Sequence, residues 1–269
     1  MLNNTNGPFP KIGVVGVGFV GEAVVNSYRG FSEIVTVDTD PAKFCTGTYD
    51  DLLTCEGVFI CVPSPAKPDG GCDTTILESV LKNFKDYEGV LISKVTAPPD
   101  VYTRLSKQHN NLVYVPEFLT AANATRDYLN STFTIVGGTV KAYMYEAVRL
   151  IQLGQSSCLR VEYCTIEEAA LTKYAINSFL ATKVIFMNEL RQLAEVNKIN
   201  YDYVALMMKN DLRIGSSHMH VPGEDGKLGF GGMCFPKDTA ALLKYAEESD
   251  ADLSILSAAT KKNTLLRLS

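Results

Sequence analysis

The decapeptide GFGGMCFPKD, Gly229 to Asp238, places one thiol among glycines, a proline, a lysine and a carboxylate. A cysteine acts as a nucleophile through its thiolate, which an accessible and electropositive setting favours. Cys234 has Lys237 and Asp238 close by in the chain. The motif therefore indicates either a nucleophilic thiol or a packed core side chain, and the rest of the sequence has to distinguish the two.

A glycine motif of a different kind lies near the amino terminus. The segment GVVGVGFVGEAVVNSY holds Gly16-x-Gly18-x-x-Gly21, directly after a predicted strand and at the start of a predicted helix. In that setting the glycines allow a tight turn, close approach of a pyrophosphate and close packing of helix on strand. Asp38 ends the second predicted strand, where a carboxylate binds a ribose 2′-hydroxyl and repels a 2′-phosphate. We therefore predict that the chain binds NAD rather than NADP.

The amino-terminal glycine motif belongs to an alternating pattern of short apolar runs and helix-length segments that extends from Lys11 to about Arg160. The runs are KIGVVG, EIVTVD, GVFICVP, GVLISK, NLVYVP, TFTIVGG and CLRVE. Their near-continuous apolar character is typical of strands buried on both faces of a parallel sheet. We predict an α/β fold in which residues 1–161 form a Rossmann-type, doubly wound parallel sheet.

The chain becomes helical after Val161, and residues 162–269 are predicted to form an all-helical domain. Thr165 and Glu168 have the spacing of a capping box, and about thirty residues without glycine or proline follow, which predicts a long central helix of roughly 45 Å. We expect its tyrosine and phenylalanine side chains in the core. One face would still stay uncovered in so small a domain, which favours a homodimer. A shorter helix over 201–209, a loop over 210–236 and helices over 237–248 and 253–268 complete the prediction.

Composition narrows the class of protein. The 269 residues are 46% apolar and 20% charged, which fits a globular chain of two domains. A net charge of −5 argues against non-specific binding of nucleic acid or of an anionic membrane. Without a signal peptide or a long apolar stretch, we expect a cytoplasmic protein that does not associate with membranes.

Two further features concern metals and thiols. The seven cysteines lack paired spacing, so they indicate neither a disulfide framework nor a zinc site, and we expect most to be small buried hydrophobic residues. His218 and His220 have no further ligand at suitable spacing, so we predict no metal site. Plain loop structure is favoured for them over contact with a substrate or a partner subunit.

Ser64, in the proline-rich turn CVPSPAKPDGG, either contacts the cofactor or stabilises the turn alone.

Four segments, taken in order, resemble the UDP-glucose/GDP-mannose dehydrogenase family. GFGGMCFPKD is similar to the family's catalytic loop, GGxCxPKD, and SKVTAPP to its active-site threonine segment. VPEFLT resembles the glutamate segment, and LTKYAINSFLATKVIFMNEL the long helix that carries a lysine and an asparagine. The resemblance implies an NAD-dependent oxidoreductase that converts a nucleotide sugar, with UDP-glucose the preferred substrate, to the corresponding uronate.

The resemblance also implies a role for each matching residue. It assigns the nucleophile to Cys234, oxyanion stabilisation to Lys173 and Asn177, acid/base catalysis to Glu117, and the ordering of a water to Asp238 and Thr96. The implied substrate-binding residues are Glu117, Phe118, Leu119, Lys173, Asn177, Arg213, Phe230 and Gly231. Arg213 in relatives reaches the substrate of the neighbouring subunit. The cofactor-binding residues are Gly16, Gly18, Phe19, Val20, Gly21, Asp38, Lys43, Val62, Ser64, Thr96 and Lys237.

The chemistry of these residue types agrees with the implied roles. Lys173 and Asn177 are four residues apart, so they share a helix face and can direct a cation and an amide at one oxygen. In the implied four-electron oxidation, Cys234 attacks the aldehyde formed by a first hydride transfer, and a second transfer converts the thiohemiacetal to a thioester. Water activated by Glu117 then releases the acid.

Three interpretations of the sequence remain open, and the first is an enzyme of this family that lacks one domain. The family usually continues into a C-terminal domain that closes over the nucleotide, and we expect this chain, which ends KKNTLLRLS, to lack it. A two-electron enzyme of the β-hydroxyacid dehydrogenase type also has a dinucleotide domain followed by a long helix, but it needs no thiol. A catalytically weak NAD-binding or assembly protein is the third interpretation.

Overall fold

The computed structural model describes residues 9–155 and 160–268, which form two compact units. The first contains the described residues within Met1–Pro65 and Asp73–Lys173, and the second those within Ala66–Cys72 and Tyr174–Ser269. Neither unit is continuous in sequence, and the predicted boundary between residues 161 and 162 stays a prediction. Across the described ranges, no helix combines the length and the apolar character needed to cross a bilayer.

A seven-stranded sheet forms the first unit, with the strand order β2-β1-β3-β4-β5-β6-β7. The strands are β1 (Ile12–Val15), β2 (Ile34–Val37), β3 (Gly57–Ile60), β4 (Val90–Ser93), β5 (Leu112–Tyr114), β6 (Phe133–Gly138) and β7 (Arg160–Cys164). Each of the seven apolar runs supplies one strand, which confirms the predicted fold class. Cys158 and Leu159, at the start of the last run, lie outside the described residues.

One strand pair differs from the predicted parallel sheet. β5 and β6 are antiparallel, whereas every other neighbouring pair is parallel. The connection between β5 and β6 contains only a 3-10 turn (Ala121–Asn123) and the six-residue helix α5 (Ala124–Leu129). This connection does not cross back over the sheet, so β6 begins at the end where β5 finishes. A short irregular link of this kind has no apolar periodicity from which it could be predicted.

Helices cover both faces of the sheet. They are α1 (Phe19–Tyr28), α2 (Tyr49–Leu52), α3 (Thr75–Leu81), α4 (Pro99–Gln108), α5 and α6 (Lys141–Gly154). One core lies under α3 and α4 and includes Phe84 and Tyr102, and the other lies under α1, α5 and α6 and includes Tyr28 and Phe59. α4 begins at Pro99, where the missing N–H removes no helical hydrogen bond.

The long helix α7 (Ile166–Val196) begins in the first unit and continues into the second. Its predicted capping box is confirmed, because the Thr165 N–H donates to Glu168 Oε2 at 2.7 Å and the Glu168 N–H donates to Thr165 Oγ1 at 3.2 Å. The 31 residues of the helix give a length of about 46 Å. The second unit adds α8 (Tyr201–Met208), α9 (Phe235–Glu248) and α10 (Ser254–Leu268), close to the predicted ranges.

The prediction that the aromatic residues of the long helix are core residues is wrong for the phenylalanines. Tyr174 is buried, but Phe179 is 67% exposed and Phe186 is 57% exposed. The two phenylalanines are seven residues apart and lie on one face of α7, which is not the face that carries Tyr174. Helical spacing alone does not distinguish a helix face that is buried in the core from one that is exposed.

The cysteine prediction also needs correction. Of the cysteines that the structure describes, only Cys55 and Cys72 are buried, and Cys45 is exposed. The others are half-buried because they stand at the ends of elements: Cys61 after β3, Cys164 at the end of β7 and Cys234 before α9. No disulfide joins the described cysteines, and Cys158 lies outside the described residues.

A short hairpin from the first half of the sequence belongs to the second unit. Ala66 and Cys72 form an antiparallel bridge, and the Lys67 N–H donates to the Gly71 carbonyl at 2.7 Å. Cys72 packs in one cluster with four residues of the helices: Tyr174, Ala241, Leu242 and Leu256. The core of the second unit is therefore completed by a segment about a hundred residues upstream of its helices.

Candidate functional site

The glycine motif at the start of α1 contains three glycines. Two of them are required by the fold, whereas the third, Gly18, is not. Gly16 has φ +85°, and a Cβ there would lie 2.9 Å from the Cys61 backbone. A Cβ on Gly21 would overlap the Gly16 carbonyl oxygen. Gly18, in contrast, is exposed at φ −74°, and a Cβ would meet no atom within 4 Å. The close approach of a pyrophosphate to the helix N terminus explains a glycine at that position, so the turn fits NAD.

Asp38 supports the same turn. Its Oδ2 accepts the Val17 N–H at 2.6 Å, and its Oδ1 accepts the Asp40 N–H at 2.8 Å. Burial alone would raise the pKa of Asp38, but these backbone N–H groups, together with the nearby positive charge of Lys43, lower it below the ordinary value. An ionised carboxylate at this position fits a ribose hydroxyl and repels a 2′-phosphate.

Ser64 and Thr96 meet at the carboxyl end of the sheet. The Ser64 hydroxyl donates to the Thr96 carbonyl at 2.7 Å, and both side chains are buried. This bond favours the structural interpretation of Ser64, and its contact with the cofactor stays a prediction. Val62, on the same turn, is packed against the core.

The predicted acid/base Glu117 lies against the predicted oxyanion lysine. Lys173 Nζ donates to the Glu117 carbonyl and also to its Oε1, at 3.2 Å. Glu117 Oε2 accepts the Leu119 N–H at 2.7 Å, and the Lys173 ammonium lies 5.1 Å from the Phe118 ring centroid. Both side chains of the ion pair are buried. The PEFL segment therefore fixes the orientation of the carboxylate and surrounds the ammonium with one aromatic ring and two oxygen acceptors.

A second buried lysine in the first unit was missed by the sequence analysis. Lys94 is 7% exposed, and its ammonium lies 5.6 Å from the Tyr128 ring centroid. Burial lowers the pKa of Lys94 to about 8, and the positive charge of Lys173 acts in the same direction, whereas the negative charge of Glu117 acts in the opposite direction. The available signal was a lysine placed directly after a strand, β4, whose first three residues are apolar. Lys94 and Lys173 thus place two ammonium groups near one glutamate.

The second unit holds the other predicted catalytic residues. Asp238 is only 1% exposed, and its Oδ2 accepts Asn177 Nδ2 at 2.6 Å while its Oδ1 accepts Lys237 Nζ at 2.5 Å. The carboxylate therefore fixes the orientation of the asparagine amide and uses one of its two N–H groups, which leaves the other for an oxygen. Lys237 balances the buried negative charge.

Cys234 lies at the amino terminus of α9, which begins at Phe235. Its carbonyl accepts the Asp238 N–H at 2.8 Å, so the carboxylate follows the thiol by one helical turn. The side chain is half-buried, and the helix N terminus stabilises negative charge that develops there. The predicted arrangement of a thiol, a lysine and a carboxylate in one turn is thus present.

Two other residues of the loop before α9, Arg213 and His218, make contacts outside the hydrogen bonds described above. Arg213 is 89% exposed and pairs with Asp211 in its own loop at 2.6 Å. His218 packs 5.4 Å from the Phe235 ring centroid, and burial together with the positive charge of Lys183 lowers its pKa. In the part of the chain that the structure describes, no group of three or more His, Cys, Asp or Glu residues is placed to hold a metal ion.

Two models of one protein family match the chain. The NAD binding domain of the UDP-glucose/GDP-mannose dehydrogenase family matches residues 43–152, and the central domain of that family matches residues 167–265. A UDP-glucose 6-dehydrogenase from Rhizobium meliloti is 29% identical over 91% of this chain and 65% of its own length. One from Rickettsia felis is 30% identical over 84% of this chain and 52% of its own length. The chain spans about half to two thirds of these curated relatives.

Solved structures share the fold. A UDP-glucose dehydrogenase from Pyrobaculum islandicum superposes with a TM-score of 0.83 at 23% identity, over 97% of this chain and 69% of its own. A 3-hydroxyisobutyrate dehydrogenase from Mycobacterium tuberculosis gives a TM-score of 0.75 at 15% identity, over 94% of this chain and 91% of its own. At these identities the likeness concerns the fold alone.

Proposed function

Because this chain belongs to the UDP-glucose/GDP-mannose dehydrogenase family, we propose that it is an NAD-dependent nucleotide-sugar 6-dehydrogenase. We further propose UDP-glucose as the substrate and UDP-glucuronate as the product, since the relatives from Rhizobium meliloti and Rickettsia felis are named UDP-glucose 6-dehydrogenase. One observation carries the proposal: a half-buried thiol, Cys234, directly precedes the helix that also holds Asp238 against the Asn177 amide.

The first unit provides the cofactor site. The Gly18 backbone at the start of α1 would hold the pyrophosphate, and the Asp38 carboxylate would hold the adenosine ribose. NAD, when bound there, supplies the acceptor for hydride from C6 of the sugar.

The covalent steps belong to Cys234. Its Sγ adds to C6 of the aldehyde, the carbonyl π bond breaks, and a proton moves from the thiol to the C6 oxygen, which gives a thiohemiacetal. Loss of a hydride and a proton from the thiohemiacetal leaves a thioester on Sγ. Lys173 and Asn177 serve as donors to the C6 oxygen in these steps, because each carries an N–H group that can face developing negative charge.

Hydrolysis needs a proton acceptor and an ordered water. Glu117, whose carboxylate is oriented by Lys173 and by the Leu119 N–H, takes the proton from the water that attacks the thioester. Thr96 and Asp238 are proposed to position that water. The thiol is regenerated when the acid leaves.

An exposed apolar face supports a homodimer. Phe179, Phe186 and Leu193 recur every seven residues on α7, and all three are exposed. A stripe of this kind is typical of a surface that packs against another helix. A second copy of the chain is the proposed occupant, and the exposed Arg213 would then be available to the neighbouring subunit.

One specific observation favours a second candidate. The chain covers nearly all of the 3-hydroxyisobutyrate dehydrogenase structure, and a two-electron enzyme of that class would use the same fold without a thiol. The number of NADH molecules formed per product distinguishes the two, since thioester chemistry requires two and simple alcohol oxidation gives one.

The test is to incubate the purified chain with NAD and a panel of nucleotide sugars and to count NADH per acid formed. We expect two NADH per UDP-glucuronate, and we expect Cys234→Ser to form no acid. Cys164→Ser, which alters another half-buried cysteine at the end of β7, is the matched control and should behave as the wild type. A ratio of one that Cys234→Ser leaves unchanged would favour the two-electron enzyme, and NAD binding without turnover of any sugar would favour an NAD-binding or assembly protein.

A further inference from the structure

Two buried asparagines hold the backbone of the segment that leads to Cys234. Asn188, on α7, accepts the Gly229 N–H on its Oδ1 at 3.0 Å. Asn263, on α10, accepts the Phe230 N–H on its Oδ1 at 2.7 Å. Both asparagine side chains are at least nine-tenths buried. Consecutive peptide groups of the loop are thus bound by side chains from two different helices.

An arginine binds the main-chain carbonyl of the same residue, Phe230. Arg267, one turn after Asn263 on α10, donates from Nε to the Phe230 carbonyl at 3.0 Å. Its Nη2 pairs with Asp225 Oδ2 at 2.7 Å, which ties the earlier part of the loop to the same guanidinium. Both main-chain polar groups of Phe230 are therefore bound by α10.

The glycines on either side of Phe230 make room for these side chains. Gly229 has φ +72°, and a Cβ there would overlap Asn263 Oδ1. A Cβ on Gly231 would overlap the Arg267 guanidinium. A side chain is therefore disfavoured at Gly229 by its positive φ, and at Gly231 it would displace the guanidinium from Phe230.

The Phe230 side chain packs against the residue that follows the nucleophile in the chain. It is buried and packs in one cluster with Ala181, Ile185 and Ala259. Its ring lies edge-on to the Phe235 ring, with centroids 6.3 Å apart, and Phe235 directly follows Cys234. Displacement of Phe230 would therefore be transmitted to the first residue of α9.

We propose that Asn188, Asn263 and Arg267 are positioning residues that together fix Cys234 for nucleophilic attack; the three residues are called the loop clamp below. The clamp rests on the proposed function in that it presupposes a reacting thiol. It adds to that function a role for α10, whose side chains would hold the nucleophile in the position from which it reacts. A misplacement of a reacting group by about 1 Å lowers rates by roughly 100-fold, so the clamp is expected to act on kcat.

Asn263 gives the sharpest test, because its function needs only an acceptor. Asn263→Asp keeps the oxygen that binds the Phe230 N–H, and its charge faces Arg267 one turn away. Asn263→Leu keeps the approximate volume and removes the acceptor. Asn197→Leu is the matched control, since Asn197 is exposed near the end of α7. All variants are compared at a temperature where circular dichroism shows that they are folded.

Two measurements are made on the full chain. Alkylation of Cys234 by iodoacetamide, followed on its own peptide by mass spectrometry, reports the thiol with no need for NAD or sugar. Steady-state kinetics with NAD and UDP-glucose then separate kcat from KM. We expect Asn263→Leu to alter the alkylation rate about 5-fold or more and to lower kcat about 100-fold with KM for NAD little changed. Asn263→Asp and Asn197→Leu should stay within about 2-fold of wild type in both measurements.

The outcomes separate the clamp from the dehydrogenase proposal. Unchanged alkylation in folded Asn263→Leu overturns the clamp, whatever the activity. Equal losses in Asn263→Leu and Asn263→Asp also overturn it, because the acceptor would then be irrelevant. If the wild type oxidises no sugar, the proposed function fails, and the alkylation rates still decide whether these side chains set the state of the thiol.

Discussion

Replacing Lys94 with methionine is expected to stabilise the protein at neutral pH and to lose that advantage in alkali. The lysine side chain is buried against the Tyr128 ring, and methionine would fill the volume of its stem without a charge. The titratable groups that act on the ammonium are Cys61, Glu117 and Lys173, and all are retained in the variant.

The magnitude follows from the pKa of the buried lysine. Burial lowers it from 10.5 to about 8, and at about 1.4 kcal/mol per pKa unit the protonated side chain destabilises the fold by about 3 kcal/mol. Below about pH 8 Lys94 is protonated in both the folded and the unfolded chain, so the full destabilisation is present. Between about pH 8 and 10.5 only the unfolded chain stays protonated, and the stability of the wild type rises relative to that of the variant.

Urea unfolding of wild type and Lys94→Met at about pH 7 and about pH 10 measures this difference. We expect the variant to be about 3 kcal/mol more stable at the lower pH, and we expect the difference to shrink to about 1 kcal/mol or less at the higher pH. Lys107→Met, at an exposed lysine, is the control and should change little at either pH. A variant that is less stable at pH 7, or a gain that does not depend on pH, would refute the reasoning.

Three other predictions concern the dinucleotide turn, the long helix and the exposed apolar face. Gly18→Ala meets no neighbouring atom and should weaken NAD binding in calorimetry with little effect on unfolding, whereas Gly21→Ala overlaps the backbone of the turn and should destabilise the fold by about 1–3 kcal/mol. Thr165→Ala removes the capping box of α7 and should lower the free energy of unfolding by about 1 kcal/mol, measured with urea; no change would argue against the cap. Phe186→Glu should convert a dimer to a monomer in light scattering, and an identical mass for wild type and variant would contradict the proposed interface.

The fold could be predicted because its signals are local. Apolar runs of strand length supplied all seven strands, and the capping box with its uninterrupted helical segment supplied α7. The antiparallel entry of β6 could not be predicted, since strand direction depends on a connection whose sequence has no periodicity. The exposure of Phe179 could not be predicted either, because an apolar helix face looks alike whether it meets the core or another surface.

The residues of the candidate site that lie in local sequence motifs could be predicted, and those that act through long-range contacts could not. Motif spacing indicated Cys234, Asp238 and the Lys173/Asn177 pair, since each lies in a segment with a recognisable pattern. Asn188 lies within the long-helix segment but was assigned no role there, and Asn263 belongs to no motif. Their contacts with the loop arise only when three distant parts of the chain fold together. Long-range positioning of this kind leaves no trace in local spacing.

The hairpin Ala66–Cys72 limits how the chain can be divided into fragments that are expressed separately. A fragment that starts at residue 162 would contain α7 to α10 but not Cys72, which packs with the buried residues of the second unit. Such a fragment would expose apolar surface at Tyr174 and Leu242 and is expected to aggregate on expression. A fragment that keeps this packing has to carry residues 66–72, joined by a linker, together with the helices.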